Sequence, residues 1–267
     1  AAIAHLVRCF DDENITHVSS QVDPLSDIEV IDTELMLKDM DTLDNAITRV
    51  QKQTKTGDKD MLAQLEVLKK VQQGLEDGHP IRRQKLNSGA LTHLRELCLL
   101  SAKPVLYLAN VDDASLPGGN AYSGRVSEWA SQENSRMAIV SAQIESELAE
   151  MDDASRLEFL ADLGLSEPGL NTVIREAYTL LNLVTYFTAG EKEVRAWTIH
   201  RGDTAPQAAG VIHTDFEKGF IRAETIAYDD FDNFGGESKA KEAGKVRLEG
   251  KEYIVRDGDV MHFRFNV

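Results

Sequence analysis

The sequence has few of the features that would assign it to a specialised class. It contains 2 Cys in 267 residues, Cys9 and Cys98, and neither belongs to a CxxC pair. Disulfide scaffolds and zinc sites need more cysteines at closer spacing, so we expect two reduced thiols, buried as small apolar residues, in a cytoplasmic protein. The 18 Gly exclude a collagen-like chain, and 42% AVILMFWYC residues exclude a disordered one.

Long apolar runs are also missing. No stretch approaches the roughly 20 apolar residues of a membrane-spanning helix, and no signal segment opens the chain. Acidic residues outnumber basic ones by 45 to 29, which gives a formal net charge of −16. Long-range attraction to nucleic acid or to an anionic membrane is therefore disfavoured, and any contact with RNA must use a local basic patch.

Several catalytic motifs are absent from the sequence. No GxxxxGK[ST] phosphate-binding loop occurs, and neither GxSxG nor HExxH is present. Without that loop, the sequence predicts no backbone cradle for phosphate and no hydroxyl ligand for Mg²⁺. The seven His are scattered, so we expect no metal site and interpret His213 and His262 as surface or core residues.

Three short apolar runs, separated by helical segments, predict an α/β layer with a parallel sheet. They span Ile3 to Phe10, Val105 to Asn110 and Met137 to Ser141. The chain lacks an initial Met and starts inside the first run, so we expect a fragment whose first part is missing. Its first strand would then leave a sheet edge open to self-association.

Residues 24–100 interrupt this sheet. Apolar residues recur every three or four positions from Met36 to Val50 and from Leu62 to Leu75, a pattern typical of two antiparallel helices packed along one stripe. Thr56, Gly57 and Asp58 predict the turn between them. We interpret the segment as a helical hairpin with solvated outer faces.

The pattern changes after residue 182. Asp152 to Leu163 and Pro168 to Asn182 predict two helices before this point. Beyond it, short β-type runs such as Tyr253 to Val255 and Val260 to Val267 predict a small α+β domain with a short helix at Ala205 to Gly210. The Gly-rich, charged stretch from Asn233 to Gly244 predicts a surface loop.

The strongest functional signal lies where the second and third predicted strands end. Asn110, Val111 and Asp113 follow one strand, and Ser141 and Ala142 follow the other. Ligands of open α/β sheets bind at this edge, and an Asn side chain offers a donor and an acceptor to a purine. The alternative for each motif alone is a simple turn, since Asn, Asp and Ser are common in turns.

A second candidate surface surrounds the segment from His213 to Arg222. Between residues 195 and 222 the chain has 4 basic and 3 acidic residues, and the basic ones are Arg195, Arg201, Lys218 and Arg222. Basic and aromatic side chains together indicate contact with RNA. The alternative is a set of core Phe residues beside a glycine-assisted turn.

Together these segments resemble the YchF family of Obg-like P-loop ATPases, of the bacterial type. The similarity covers essentially the whole chain, and the block from His213 to Arg222 is its most specific part. It implies the C-terminal part of a G domain at residues 1–23 and 101–182 and a helical coiled-coil insert at residues 24–100. A TGS domain, a ubiquitin-like β-grasp module, would occupy residues 183–267.

The resemblance also implies a function. Family members hydrolyse ATP, often bind GTP, and associate with ribosomes, so the expected role is a translation- or stress-linked switch in the cytoplasm. Its partners would be the ribosome, as large subunit or 70S particle, and ribosomal RNA. The P-loop and the Mg²⁺ ligands would lie upstream of Ala1, so we expect this chain alone to be inactive in hydrolysis. The alternative is a non-catalytic ribosome- or RNA-binding module that acts through the hairpin and the TGS domain.

Base choice follows from the family's NxxE motif, which stands here as Asn110-Val111-Asp112-Asp113. The absence of the Lys found in ordinary G proteins favours ATP, and the Asp at the last position leaves GTP open. On this interpretation Asn110 hydrogen-bonds the N6/N7 edge of adenine and Val111 packs on the ring. Ser141 and Ala142 line the opposite side.

Overall fold

A computed structural model of the chain describes residues 1–12, 22–53, 58–190 and 193–266. These residues form two compact units, Ala1–Leu180 and Leu181–Val267. Within the described ranges, no helix is long and apolar enough to cross a membrane.

The sheet of the first unit has three parallel strands in the order β1-β2-β3. They are β1 (Ile3–Arg8), β2 (Val105–Asn110) and β3 (Arg136–Val140), which confirms the predicted strands and their direction. The middle strand is the most buried, and four of its six residues are inaccessible to solvent. In register, Arg8 pairs with Asn110 and Asn110 pairs with Val140, so the carboxyl ends of all three strands meet.

The predicted hairpin is confirmed as α1 (Pro24–Gln53) and α2 (Lys59–Glu76). The two helices pack along one apolar seam, because residues three or four positions apart lie on the same helix face. The seam includes Met36, Leu43, Ile47, Val50, Leu68, Val71 and Leu75. Of the predicted turn residues, Thr56 and Gly57 lie outside the described residues, and Asp58 caps the start of α2.

Two buried carboxylates on α1 attach the chain that returns from α2. Asp39 is 1% exposed and accepts hydrogen bonds from the backbone N–H groups of Leu100 and Ser101, each at 2.7 Å. Asp32, seven residues earlier, accepts from Nη2 of Arg82 at 2.6 and 2.5 Å. Buried charges are tolerated only when they are paired and hydrogen-bonded, so these contacts hold the returning segment against α1.

The same polar cluster reaches the sheet. Arg82 and Arg83 both form ion pairs with Glu133, which follows the last turn of α4 (Ala121–Gln132). The hydroxyl of Tyr107, on β2, donates to Glu133 Oε2 at 2.6 Å, and Trp129 Nε1 donates to that hydroxyl at 3.3 Å. Burial raises the pKa of Tyr107, which keeps its hydroxyl protonated as a donor.

Four further α-helices lie in the described part of the first unit: α3 (Ser88–Leu94), α5 (Ala142–Glu150), α6 (Asp153–Asp162) and α7 (Gly169–Leu180). The last two are the helices predicted from residues 152–182. Gly164, at a φ of +68°, follows α6, because glycine adopts this left-handed conformation without a steric penalty. Pro168 directly precedes α7, as is common at helix starts.

The second unit contains a mixed sheet in the order β5-β4-β8-β6-β7. Its strands are β4 (Leu183–Ala189), β5 (Val194–His200), β6 (Phe220–Ala227), β7 (Arg247–Glu249) and β8 (Asp259–Phe265). Residues of α8 (Ala205–Ile212) share an apolar core with Tyr186, Phe220, Met261 and Phe263. Within its described residues, β4 and β8 run parallel and the other strand pairs run antiparallel. The predicted α/β class and C-terminal β-grasp sheet are confirmed, and the finer domain boundaries stay a prediction.

The surface loop predicted from Asn233 to Gly244 is wrong. That stretch follows α10 (Tyr228–Asn233) and contains α11 (Glu237–Glu242). Ala240 is fully buried against Ile226 and Val260, so this helix covers part of the outer sheet face. One alanine methyl carries the contact, and the sequence pattern therefore showed no apolar stripe.

One shorter prediction also differs from the structure. The run from Tyr253 to Val255 forms no strand and makes a single bridge, between Ile254 and Thr204. The segment after His213 forms α9 (Thr214–Lys218), and Phe220 beyond it is buried in the core, as the alternative of core Phe residues predicted. The His213 Nδ1 atom accepts the backbone N–H of Asp215, and this cap starts the helix.

The two cysteines occupy different environments. Cys9 is fully buried, as predicted, and burial raises the pKa of its thiol to about 12. Cys98 is exposed, which contradicts the predicted burial. It follows a short helical turn at a φ of 51°, where the chain changes direction at the surface.

Alkylation should separate these thiols. With iodoacetamide at pH 8, we expect Cys98 to react rapidly and Cys9 to be protected, because a raised pKa and burial leave almost no accessible thiolate. Mass spectrometry of peptides from the folded protein measures both sites. The same reaction in urea is the control, where both should react. Rapid labelling of Cys9 in the folded chain would contradict the burial of its thiol.

Replacing Asp39 should weaken the first unit. We expect Asp39→Ala to lower the free energy of unfolding by about 3 kcal/mol, because two buried N–H groups lose a charged acceptor. Urea denaturation followed by circular dichroism measures the loss. Asp41→Ala, at an exposed carboxylate two residues away, is the matched control, and an equal effect of both variants would refute the role of Asp39.

Candidate functional site

The candidate site lies at the carboxyl ends of β2 and β3, where the register aligns Asn110 with Val140. The structure brings four of the five predicted residues into direct hydrogen bonds across these two strand ends. Two bonds link the chain after β2 to the start of α5. This edge of a parallel sheet is where α/β proteins bind ligands.

Asn110 is held by the first helical residue of α5. Its Oδ1 accepts the backbone N–H of Ala142 at 2.9 Å. That N–H belongs to the first turn of a helix, where it has no partner within the helix itself. A carbonyl oxygen has two lone pairs, and within the described residues Oδ1 uses one of them and Nδ2 has no hydrogen-bond partner. Asn110 is only partly buried and thus presents an acceptor and a donor side by side.

A second bond fixes the acidic residue of the motif. The Ser141 hydroxyl donates to Asp113 Oδ1 at 2.8 Å, and Ser141 Oγ also caps α5 by accepting the N–H of Ile144 at 3.4 Å. Ser141 is 3% exposed, whereas Asp113 is half-buried. The serine thus positions the carboxylate, whose Oδ2 has no hydrogen bond within the described residues.

Val111 has a different role from the one predicted. Its side chain is 2% exposed and belongs to the core of the first unit with Val126 and Ala109. Its backbone N–H donates to the carbonyl of Val140 at 2.9 Å. The side chain offers no surface on which a ring can pack, so the predicted ring contact by Val111 is wrong for this conformation.

Asn120 is a supporting residue that the sequence interpretation missed. It caps α4 in a capping box with Ser123. Its Nδ2 donates to the carbonyl of Cys9 at 2.7 Å and to Ser115 Oγ at 3.2 Å, so it joins the end of β1 to the turn that follows Asp113. The pattern Asn120-x-x-Ser123 was a usable signal, because a polar residue pair at this spacing predicts a helix start.

A cleft of about 330 Å³ adjoins the site and includes Ser141 in its wall. Leu116, Ile139 and Leu165 supply apolar lining, which suits the face of a planar ring. Glu145 also lines it but is engaged, since its carboxylate accepts the backbone N–H groups that open α7. Among the described residues, no group of three or more His, Cys, Asp or Glu side chains is arranged to hold a metal ion.

The structure disperses the four basic residues predicted to contact RNA. Arg195 lies on β5, Arg201 in the turn after it, Lys218 at the end of α9 and Arg222 on β6. Strands β4 and β8 lie between β5 and β6 in the sheet. Arg195 stacks on the ring of Trp197 at 4.2 Å. The four side chains do not form one patch.

Arg222 instead has a neighbour that the sequence interpretation missed. It pairs in register with Arg264 on β8, and both side chains are exposed. Like charges directly opposite each other destabilise a sheet, and Glu224 offsets only part of this. Its carboxylate accepts from Arg264 Nε at 3.1 Å, and this contact lowers the pKa of Glu224. The result is a local cationic strip on an acidic chain.

Comparison with known proteins finds relatives along the chain. The family model described as "YchF-GTPase_C: Protein of unknown function (DUF933)" matches residues 183–266. "Ribosome-binding ATPase YchF" of Haemophilus influenzae is 56% identical over 266 residues, which cover 100% of this chain and 73% of that protein. The protein of the same name from Bacillus subtilis is 52% identical over 268 residues, with the same coverage.

A solved structure matches most of the chain as well. The "Structure of the Schizosaccharomyces pombe YchF GTPase" aligns with a TM-score of 0.80 and 36% sequence identity. The alignment covers 98% of this chain and 72% of the other.

Proposed function

The chain belongs to the YchF family, and from that membership we propose that it recognises the purine base of ATP. Asn110, Asp113, Ser141 and Ala142 would form the base site. The names of its relatives describe a ribosome-binding ATPase, and base recognition is the part of such an activity that these residues support. The Asn110–Ala142 hydrogen bond is the observation that carries the proposal.

This bond favours adenine over guanine. Adenine presents an N6–H₂ donor beside the N7 acceptor, and an Asn side chain pairs with both. The free lone pair of Asn110 Oδ1 would accept from N6, while Nδ2 would donate to N7. Guanine presents O6 in place of N6, so it would face Oδ1 with a second acceptor. The Ala142 N–H, which could donate to O6, is already engaged by Asn110.

Asp113 would allow the site to bind guanine as well. Its Oδ2 is available to accept from the N1–H and N2–H₂ groups that guanine presents on its other edge. Ser141 would hold the carboxylate in place for either base. We therefore propose adenine as the preferred base and guanine as a weaker one.

Hydrolysis would need groups that these 267 residues do not supply. The sequence contains no GxxxxGK[ST] loop, and the site described above offers no cradle for phosphates. The bound nucleotide would bring its own phosphates and Mg²⁺, and this chain would hold the base. We propose that the chain by itself binds nucleotide in the cytoplasm without hydrolysing it.

Asn110→Ala should weaken ATP binding about tenfold, because loss of a bidentate contact to a base costs about 1–3 kcal/mol. NMR titration of the 267-residue chain with ATP, and separately with GTP, measures the affinity and the preference. We expect the variant to lose the preference for ATP as well.

The matched control for this titration is Gln143→Ala, at an exposed side chain one residue from Ala142 whose amide contacts Glu147. It should leave ATP affinity unchanged. Equal affinity of Asn110→Ala and the unmodified chain would overturn the base site. Phosphate release above background from the chain alone would overturn the proposal that this chain binds nucleotide without hydrolysing it.

A second function is favoured by the Arg222–Arg264 pair. We propose that the second unit contacts ribosomal RNA through these two side chains, since adjacent guanidinium groups bind phosphate oxygens well. This would make the chain a ribosome-binding module in addition to its base site.

We also propose that the edge strand β1, where Leu6 is 55% exposed, allows self-association.

Arg222→Ala combined with Arg264→Ala should weaken co-sedimentation with ribosomes. Each lost phosphate contact reduces the magnitude of the slope of log affinity against log salt by about 1, so we expect this magnitude to fall by about 2. Arg195→Ala combined with Arg201→Ala is the control, because it removes the same charge elsewhere on the unit. An equal change in both double variants would show that total charge, not this pair, determines binding.

A further inference from the structure

The two central strands of the second unit separate along part of their length. Strands β4 and β8 pair at Phe187 and Val260, and a backbone bond from the Gly258 N–H to the Thr185 carbonyl lies on the same side of this point. Beyond Val260, the register aligns no further residues of β4 and β8 within the described ranges. The outer neighbours of both strands stay paired, so the gap lies inside the sheet.

The gap forms a cleft of about 540 Å³, within the usual size range of ligand sites. Its apolar wall consists of Ile212, Phe216, Met261, Phe263 and Phe265. Phe216 and Phe265 stack on each other with centroids 3.8 Å apart, and both are half-buried. Another planar ring can extend such a stack.

A ligand site also needs polar groups beside its apolar wall, and here the main chain of β8 supplies them. In a strand, successive N–H and C=O groups alternate between the two sides. Strand β6 pairs with one side of β8, so alternate main-chain groups between Met261 and Phe265 face the cleft, where the register aligns no described residue of β4 with them. Such groups are satisfied by hydrogen bonds to a ligand or to water. Polar side chains at the rim are Thr188, Glu193 and His262.

We propose that this cleft binds a single nucleobase, with its ring on the Phe216–Phe265 stack and its edge on the main chain of β8. Aromatic faces next to backbone donors and acceptors are the usual means of holding an unstacked base. An extended peptide fits less well, because the bridge between Phe187 and Val260 closes one end and no strand can pass through.

The base has two sources, a free nucleotide or an unstacked residue of single-stranded RNA. The site is separate from the proposed base site of the first unit. Only the RNA source rests on the proposed ribosome contact. Sedimentation through Arg222 and Arg264 would therefore survive if the cleft bound nothing, and the two proposals fail separately.

Fluorine NMR of the 267-residue chain with 5-fluorotryptophan tests the site. The chain has 2 Trp, and Trp197 Nε1 donates to Thr188 Oγ1 at the rim at 2.9 Å. Titrations use uridine monophosphate and hexauridylate, in an Asn110→Ala background that disables the other base site. We expect a saturable shift of the Trp197 resonance. Equal response to both probes indicates a free nucleotide, and a response to hexauridylate alone indicates RNA.

Phe216→Leu keeps apolar volume but removes the ring, so we expect affinity to fall about five-fold or more. Ile221→Ala, at a side chain that is 56% exposed and does not line the cleft, should have no effect. Amide shifts of Phe263 and Phe265 in the unmodified aromatic cleft give a second readout that needs no variant. Absence of any shift with both probes overturns the proposal, and so does a response to a valine- and threonine-rich hexapeptide alone.

Discussion

The hydrogen-bonded carboxylates of Asp32 and Asp39 are the constraint on which the first unit depends. An inserted hairpin has its own apolar seam and would pack equally well in several orientations, because hydrophobic contact is not directional. The two buried carboxylates on α1 fix one orientation, because each is tolerated only when its hydrogen-bond donors are in place. Arg82 and Ser101 supply donors from the returning chain, and through Glu133 and Tyr107 the same cluster reaches the middle strand.

The position of the candidate site depends on the same contacts. Tyr107 lies three residues before Asn110 on the most buried strand, so the position of the motif is set by packing on both faces of the sheet. Ser141 and Ala142 then hold the two polar side chains from the next strand end. A site made of short side chains on rigid elements loses little conformational entropy when a ligand binds, which suits recognition of a flat, rigid base.

Periodicity predicted the elements that bury a continuous stripe, and it failed where burial rests on few atoms. The three strands and the hairpin were found because their apolar residues recur at a fixed spacing. The helix at Glu237–Glu242 was missed, since Ala240 alone carries its packing. Asn110, Asp113, Ser141 and Ala142 could be proposed as a site because strand ends are predictable, and their role in base binding stays a prediction. Asn120 and Arg264 were missed because their roles depend on contacts across more than 40 and up to 111 positions of sequence, namely the Cys9 carbonyl and the β6 pairing.

The anchors on α1 also give the hairpin a mechanical property. Asp32 and Asp39 are seven residues apart, about 10 Å along the helix axis, whereas Gln53 lies about 21 Å beyond Asp39. A rigid helix pivoting at Asp39 would turn a displacement of about 4 Å at Gln53 into about 2 Å at Asp32. A displacement at the outer end of α1 would thus be halved at Asp32, where it would act on the ion pair with Arg82.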